Sequence, residues 1–416
     1  MTETPPASSR PRYVPNVKYI LMLGALAALP AISTDMYLPS LPTVAEDLAA
    51  TEAAVQMTLS AMLIGGCVGQ LVIGPFSDRF GRRLPLLIGI SLHTVLSVAC
   101  SFAPDVTTLV FLRIAQGFFN AAAAVVAIAV IRDRFVGSDA ARLLSRLMLV
   151  IGVAPLFAPT IGGFIATHWQ WRAVFYALAL IGLVLVAIVF KWMPETLPPA
   201  ARRQPGDVKP HRAYWSLLKD RQFMAFAVIP GLGLAVIMSY VVGSPFVFQD
   251  EFGLSPNQFA LLFALNGCAI VASAQLNAYL VKRVAPAKVL RAAALAQFVF
   301  ISVLFAVVTT GVGGLPALLL CLWLVLGAQG MIPANASVLA LNNYGHMAGT
   351  AAAVIGALQA GIAGVVSPIV GLLGGGAQSM ATVMLGAVTV TLVVLAVGTP
   401  VYRRDGWRQL ATYDDA

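Results

Sequence analysis

The stretch Gly74-Pro-Phe-Ser-Asp78-Arg79-Phe-Gly81-Arg82-Arg83 separates two long apolar runs, residues 53–75 and 84–103. Each run is about 20 residues long, the length that a helix needs to cross the hydrocarbon core of a bilayer. Arginines in such a short connection favour the cytoplasmic side of a membrane. The stretch therefore predicts a helical hairpin that crosses a membrane twice and turns in the cytoplasm.

The rest of the chain repeats this pattern. Of its 416 residues, 59% are hydrophobic and only 10% are charged, and the mean hydropathy is +0.87. A soluble domain of this size needs more charge to cover its surface. We predict an all-α membrane protein with twelve transmembrane helices in two pseudo-symmetric six-helix bundles. The predicted spans are 17–39, 53–75, 84–103, 106–131, 143–167, 171–193, 222–247, 256–280, 288–310, 314–338, 347–373 and 378–400.

Charged residues alternate between successive connections. Lysine and arginine collect in the N-terminal tail, in 79–83, 132–146, 191–221 and 282–291, and in the C-terminal tail. The other connections carry Glu46, Asp47, Glu52, Asp105, Asp250 and Glu251, and only Arg113 and Arg172 depart from the pattern. This distribution predicts a multi-pass protein of the bacterial inner membrane with both termini in the cytoplasm.

The longest connection, residues 194–221, is rich in proline and charge and is interpreted as a cytoplasmic linker. It would join an N-terminal bundle, 1–193, to a C-terminal bundle, 222–400, which a cytoplasmic tail, 401–416, follows. The first apolar run continues to Pro39, and many further spans follow it. We therefore expect this run to be retained as a span and not cleaved as a signal peptide.

An internal repeat with an offset of 204 residues supports two related bundles. Thr51 and Ser255, which we predict to cap helices, superpose at this offset, and so do the acidic pairs that begin at Glu46 and Asp250. The repeat fails where Asp35 falls on Ser239 and Arg113 falls on Ala317. Charged machinery inside the membrane is therefore predicted for the N-terminal half alone.

Several function classes find no support in the sequence. Its net charge of +9 is distributed over short loops, which argues against a nucleic-acid partner. The four cysteines, Cys67, Cys100, Cys268 and Cys321, fall in apolar runs and are interpreted as packing residues and not as a metal site. No phosphate-binding loop, HExxH motif or catalytic triad is present. We therefore expect no enzyme activity, no metal and no cofactor.

Two charged residues lie inside predicted spans, where they cost about 2.5–3.5 kcal/mol each and are usually functional. Asp35 is near the outer end of span one, and Arg113 is about two turns into span four. Both are expected in the outer half of the membrane, where they could face one cavity and couple proton binding to substrate binding. The alternative is that Asp35 is a solvated end residue and Arg113 a structural hydrogen-bond donor.

Four motifs resemble the major facilitator superfamily. The 74–83 stretch resembles its loop signature, Arg113-Ile-Ala-Gln116-Gly117 its span-four motif, and Gly152-Val-Ala-Pro155-Leu-Phe-Ala-Pro159-Thr-Ile-Gly162-Gly163 its antiporter motif in span five. Asp35-Met-Tyr-Leu-Pro39 and His346-Met-Ala-Gly-Thr350 resemble the bicyclomycin-resistance (Bcr/CflA) branch of the twelve-span drug:proton antiporters. The resemblance covers nearly the whole chain.

This resemblance implies a conformational latch between the two bundles. Asp78 would face the start of span eleven near His346, and Arg82 would pair with Asp133, with Arg83 anchoring the loop. Gly74 and Gly81 would permit close helix approach and a tight reversal. Simple topological anchoring of the loop is the alternative. In span five, Pro155 and Pro159 should bend the helix, and Gly152, Gly162 and Gly163 should allow close packing.

We expect a proton-coupled multidrug exporter that works by alternating access and draws its energy from the proton gradient. Its partners would be protons, lipid bilayer, and small drugs or amphipathic metabolites, and we expect a monomer. Candidate cavity residues are Tyr37, Asn120, Phe157, Tyr240, Phe246 and Asn266. The rivals are a metabolite uptake symporter or facilitator on the same fold and, more remotely, a membrane sensor that transports nothing.

Overall fold

The computed structural model describes residues 17–135, 143, 157–199, 202, 210–344, 347–399 and 401. Every regular element in these ranges is helical. The helices are α1 (Val17–Asp35), α2 (Leu41–Asp47), α3 (Glu52–Phe80), α4 (Arg83–Ser101), α5 (Val106–Arg134), α6 (157–168), α7 (Arg172–Trp192), α8 (Pro210–Lys219), α9 (Arg221–Phe246), α10 (Pro256–Leu280), α11 (Pro286–Thr310), α12 (Gly314–Gln329), α13 (Ile332–Leu341), α14 (Ala348–Val366), α15 (Ile369–Leu372) and α16 (Gly376–Gly398).

Eleven membrane spans are long and apolar enough to cross a bilayer within the described ranges. They coincide with eleven of the twelve predicted spans, and the remaining one, 143–167, lies mostly outside the described residues. Large apolar side chains such as Leu180, Leu261 and Val397 are exposed on the outer surface of the helices. A surface of this kind suits contact with lipid chains and not with water. The predicted all-helical membrane fold is confirmed.

The first span is longer than the sequence predicted. It covers Tyr19–Asp47, because a short 3₁₀ turn at Leu38–Ser40 joins α1 to α2 in one continuous path. The predicted span ended at Pro39, and Pro42 follows it closely. Both prolines instead occupy first-turn positions of the two following segments, where a missing backbone N–H costs nothing.

Both predicted helix caps are confirmed. The Thr51 side chain accepts a hydrogen bond from the backbone N–H of Ala54 at the start of α3. Ser255 forms the complete capping box with Gln258 at the start of α10. These two caps satisfy backbone groups that would otherwise be unpaired at helix starts of the 204-residue repeat.

The two ends of the molecule differ in how the helices are joined. We call the end that carries the 81–82 turn and residues 193–199 the basic end, and the end that carries the 48–51 and 252–255 turns the acidic end. One apolar core at the acidic end contains residues from both halves, such as Met36, Val236 and Val370. At the basic end the cores are separate. Leu23 and Leu185 belong to one, and Phe226 and Val354 to the other.

Contacts between the halves run along α3 on one side and α14 with α15 on the other. A Cβ atom added to Gly371 would lie 2.5 Å from the Ala53 Cα, and one added to Gly364 would lie 2.8 Å from Ile64 Cγ1. The hydroxyl oxygens of Ser60 and Ser367 are 2.9 Å apart across the same seam. The seam therefore closes the acidic end of the molecule.

Candidate functional site

Asp35 lies in the middle of the first span. It follows Tyr19 by 16 residues and precedes Asp47 by 12, so it is about 18 Å from the acidic end along the helix path. Its side chain is buried, with 6% of the residue exposed. Among the described residues no hydrogen-bond or ion-pair partner of its carboxylate is found. The extension of span one thus moves Asp35 away from the membrane surface, where a solvated end residue would lie.

Arg113 is completely buried in α5. Its Nη1 donates to the Ser33 carbonyl oxygen at 3.2 Å and to Gln116 Oε1 at 2.8 Å. The guanidinium carbon lies 5.1 Å from the centre of the Tyr37 ring and 5.6 Å from that of Phe175. Aromatic faces stabilise a cation that is removed from water. Nε and Nη2 have no partner within the described part of the chain.

A chain of polar side chains continues from Arg113 into α4. Gln116 donates to the Ser97 hydroxyl at 2.8 Å, and the Ser97 hydroxyl donates to the His93 carbonyl oxygen. The ring nitrogen Nε2 of His93 is 3.5 Å from the Ser33 hydroxyl, which itself donates to the Leu29 carbonyl oxygen. Sequence reasoning did not connect His93 with Arg113, because this chain of contacts arises only from the packing of α1, α4 and α5.

Asp35 and Arg113 do not form an ion pair in this arrangement, since the ion pairs of the described residues involve other groups. They are linked indirectly. Arg113 holds the backbone of Ser33, which precedes Asp35 by two residues on α1. A change in the geometry of α1 at Asp35 therefore alters the environment of the buried guanidinium, although the two charges are not in contact.

The glycine pair of the span-five motif lies between the two halves. A Cβ atom at Gly162 would be 2.0 Å from the Met36 carbonyl oxygen, directly after Asp35, and one at Gly163 would be 3.0 Å from the Pro256 carbonyl oxygen of α10. The close packing expected at these two positions is present. Pro159 lies in α6, whereas Gly152 and Pro155 lie outside the described residues.

The predicted charge cluster is formed at the basic end. Arg82 Nε donates to Asp133 Oδ2 at 2.8 Å, and its Nη1 donates to Asp78 Oδ1 at 2.6 Å and to the Ser77 hydroxyl at 2.8 Å. Arg83 Nη2 donates to the Phe190 carbonyl oxygen at 2.6 Å. The Asp78 side chain is 49% exposed. Its contact partner here is Arg82, and His346, near which the resemblance placed it, lies outside the described residues.

Glu195 completes this cluster, and our sequence reasoning missed it. Its carboxylate accepts hydrogen bonds from the backbone N–H groups of Arg82, Arg83, Thr196 and Leu197, at 2.8–3.2 Å. Burial raises the pKa of this carboxyl, but the four N–H donors more than compensate and hold its pKa below the usual value. The signal that could have identified it is an acid at the start of a linker whose other charged residues are mostly basic.

The two loop glycines have different roles. Gly81 has φ = +91°, and a Cβ atom there would lie 2.3 Å from Glu195 Oε2. It is therefore required both by the turn and by the carboxylate. At Gly74 a Cβ atom would meet no atom within 4 Å. The described residues therefore show no close helix approach at Gly74, where we expected one.

The candidate cavity residues occupy different environments. The Tyr37 hydroxyl accepts from Thr58, and the Asn120 amide is buried on the Arg113 face of α5 without a partner in the described structure. In the second half, Asn266 donates to the Tyr240 hydroxyl at 3.1 Å. Phe157 is 62% exposed. The six residues therefore do not form one continuous lining.

Phe246 lies at the acidic end. There it borders a cleft of about 360 Å³ together with Glu52, Asp250, Glu251 and the glycines 374–376. The nearby Arg172, one of the two basic residues that broke the loop pattern, pairs with Asp47, which also accepts from the Trp171 indole. The acidic end therefore has its own cluster of charges. No group of three or more potential metal ligands occurs within the described ranges.

The fold and these charged sites define a multi-pass helical transporter. A sequence profile described as the Major Facilitator Superfamily matches residues 23–368. The chain therefore belongs to the major facilitator superfamily, whose members are transporters and not enzymes. The superfamily assignment that the loop and span motifs suggested is thus confirmed.

Two relatives resemble the chain over most of its length. It is 38% identical to "Uncharacterized MFS-type transporter YdgK" of Bacillus subtilis, over 84% of this chain and 88% of that protein. It is 31% identical to "Bicyclomycin resistance protein homolog" of Haemophilus influenzae, over 85% and 88%. The nucleoside transporter NupG has the same fold, with a TM-score of 0.74 at 14% identity over 93% of this chain and 100% of that chain.

Proposed function

We propose that this transporter exports small, mostly apolar compounds in exchange for protons and belongs to the bicyclomycin-resistance branch. The basic end would face the cytoplasm, as the distribution of lysine and arginine requires. The names of the Haemophilus relative and of "Multidrug resistance protein MdtL" of Escherichia coli, 32% identical over 60% of this chain, support drug export.

The observation that carries this proposal is the buried carboxylate of Asp35 in the middle of a span, which has no partner among the described residues. An ionised group there costs free energy that is recovered when the carboxylate binds a proton. The same cost falls when the site becomes open to water. A proton can therefore bind on one side of the membrane and leave on the other, provided that access alternates.

Arg113 would make this exchange dependent on substrate. It is a permanent buried cation whose Nε and Nη2 have no acceptor among the described residues, and it holds the α1 backbone near Asp35. A substrate that opens the site to water, or that moves α1 so that Asp35 approaches the guanidinium, lowers the cost of a negative charge at Asp35. Proton and substrate would then oppose one another, which is the requirement for antiport.

The movement would be rocking of two bundles about the seam between α3 and α14. In the present arrangement this seam closes the acidic end, while the cores at the basic end are separate. Closing the basic end would bring the Asp78–Arg82–Asp133 cluster towards the second half. The cluster would then act as the latch of the state that is open to the outside.

The test is accumulation of a labelled drug in cells that lack their own exporters, with and without a protonophore. We expect cells with the wild-type protein to exclude the drug only while the proton gradient stands. Asp35→Asn should abolish exclusion at equal membrane expression. Glu46→Gln, which removes an exposed carboxylate further along the same span, should not.

Two results would contradict the proposal. Unchanged gradient-dependent exclusion by Asp35→Asn would remove Asp35 from proton coupling. Higher accumulation in cells with the wild-type protein than in cells without it would favour an uptake symporter or facilitator. If accumulation stays the same across a broad drug panel, drug export is wrong and metabolite transport becomes the better hypothesis.

A further inference from the structure

Helix α8 (Pro210–Lys219) leaves large apolar side chains exposed at the basic end. It connects to α9 through a single residue, Asp220, which caps α9. Trp215 is 60% exposed and Leu218 is 44% exposed, whereas Leu217 between them is fully buried. Trp215 and Leu217 differ by about 200° around the helix axis, so they face nearly opposite directions. One side of α8 is thus packed on the protein and the other is not.

The packed side holds α8 in a fixed position. Leu217 belongs to the same apolar core as Phe223 and Phe226 of α9 and Val354 of α14. At the end of α8, Asp220 accepts from the backbone N–H groups of Gln222 and Phe223 and from the Tyr344 hydroxyl, which precedes α14. The helix is therefore attached to the inner ends of two spans and is not a loose segment.

The exposed side is basic as well as apolar. Lys219 Nζ lies 5.5 Å from the centre of the Trp215 ring. The only acid in residues 210–221 is Asp220, and its carboxylate is already used by N–H groups and by Tyr344. Burial raises the pKa of Asp220, but these hydrogen bonds lower it by more, so its pKa lies below the usual value. The carboxylate therefore stays charged and internally paired. The basic residues of this segment are His211, Arg212, Lys219 and Arg221.

The position of α8 relative to the membrane follows from the next helix. The span that follows α8 begins at Arg221, so the last turn of α8 lies within a few residues of the membrane surface. Tryptophan is favoured at this depth, and lysine side chains reach from it to lipid head groups. An exposed Trp215–Leu218 face bordered by basic residues has the composition of a helix that lies on an anionic membrane.

We propose that the Trp215–Leu218–Lys219 face of α8 binds anionic phospholipid of the leaflet at the basic end. The apolar pair would enter the boundary of the acyl chains, and Lys219 would contact a head-group phosphate. Since α8 is packed on α9 and α14, lipid bound there also contacts the elements that move when the second half rocks. This inference is independent of which compound is transported.

The experiment uses the full-length protein in nanodiscs that contain brominated phosphatidylglycerol or brominated phosphatidylcholine at equal mole fraction. Bromine quenches nearby tryptophan. The Trp215 signal is the difference between wild type and Trp215→Phe. We expect stronger quenching of this signal by the anionic lipid. The matched control is Trp323, which is 42% exposed in the middle of α12 and should be quenched equally by both lipids.

Charge variants test the anionic preference. Lys219→Gln should weaken the preference for phosphatidylglycerol by about fivefold, as expected for one basic residue near an anionic surface. Lys282→Gln, an exposed lysine elsewhere at the basic end, should leave the Trp215 preference unchanged. Equal quenching of Trp215 by both lipids would overturn anionic recognition. Absence of quenching by either lipid would show that this face is covered by something other than lipid, such as a second copy of the chain.

Discussion

Gly371 is the position where a single methyl group should change the conformational equilibrium most directly. A Cβ atom there would lie 2.5 Å from the Ala53 Cα and 2.9 Å from the Ala53 Cβ, across the seam that closes the acidic end. Ordinary carbon contacts are about 3.5–4.0 Å, so the helices must separate by about 1 Å. The obstacle is backbone and cannot rotate away. Gly371→Ala should therefore disfavour closure of the acidic end.

The magnitude follows from the cost of overpacking. An extra methylene in a tightly packed site costs about 1–3 kcal/mol, which shifts a two-state equilibrium by about 5–150-fold. The cost applies only while Gly371 and Ala53 are in contact. It disappears when the acidic end opens, so the variant should populate the open arrangement without losing its fold.

The shift can be measured as a distance between spin labels. Thr107 at the start of α5 and Val312 after α11 are exposed residues at the acidic end of the two halves. Labels at these positions require a cysteine-free background that still transports. We expect a population with a longer distance in Gly371→Ala. Gly386→Ala is the matched control, because a Cβ atom there meets nothing within 4 Å. Identical distance distributions in the two variants would refute the reasoning.

Two further changes test the basic-end cluster. Glu195→Gln should cost about 1–3 kcal/mol at pH 7, because an amide cannot accept from all four N–H donors. The pKa of Glu195 is depressed, so its stabilisation is complete above the ordinary carboxyl pKa and is lost as pH falls through the folded value. The difference in melting temperature between wild type and variant should therefore shrink below about pH 4.5. A constant difference down to pH 3 would argue against this role. Asp78→Asn should change stability by less than about 1 kcal/mol, because its pair with Arg82 is half exposed, yet it should stop drug efflux. Arg79→Gln is the control in that assay, and normal efflux by Asp78→Asn at normal expression would leave loop anchoring as the better explanation.

The sequence predicted the spans well because each one must satisfy all its backbone hydrogen bonds within lipid and must be apolar over a fixed length. Its failure in span one has a clear cause. The predicted span ended at Pro39, where the apolar run ends, whereas a proline in the first turn of a new segment does not interrupt the path. The error placed Asp35 near the surface. In the structure Asp35 lies at mid-span, where a charge is more costly than near the surface.

The candidate site was predictable only in part. Arg82–Asp133 followed from the family motif, and the contact is present at 2.8 Å. Glu195 was missed, although it is, like Asp78, an acid in basic surroundings. The link between Arg113 and the α1 backbone could not be predicted, because it depends on how three helices are rotated about their axes. Hydrophobic pattern does not define that rotation when helices are apolar on all sides.

The failure of the 204-residue repeat at the charged positions has a physical consequence. Ser239, which replaces Asp35 in the second half, only donates to its own helix at Ala235. The buried polar contacts between helices of that half are neutral, as in Gln297–Gln329 and Asn277–Asn335. Such pairs fix helix packing without changing charge between pH 5 and 9.

A proton taken up in the membrane would therefore change the charge of the first half alone. The second half can respond only through surfaces that it shares with the first. Among the described residues these include the seam of α3 with α14 and α15, the contact of Gly163 with Pro256, and the hydrogen bond from Gln249 to the Pro39 carbonyl oxygen. Gly162 is next to Met36, directly after Asp35. Under the proposed mechanism, the route from proton binding to bundle movement would therefore be short, and it would pass through backbone packing instead of through a second titratable group.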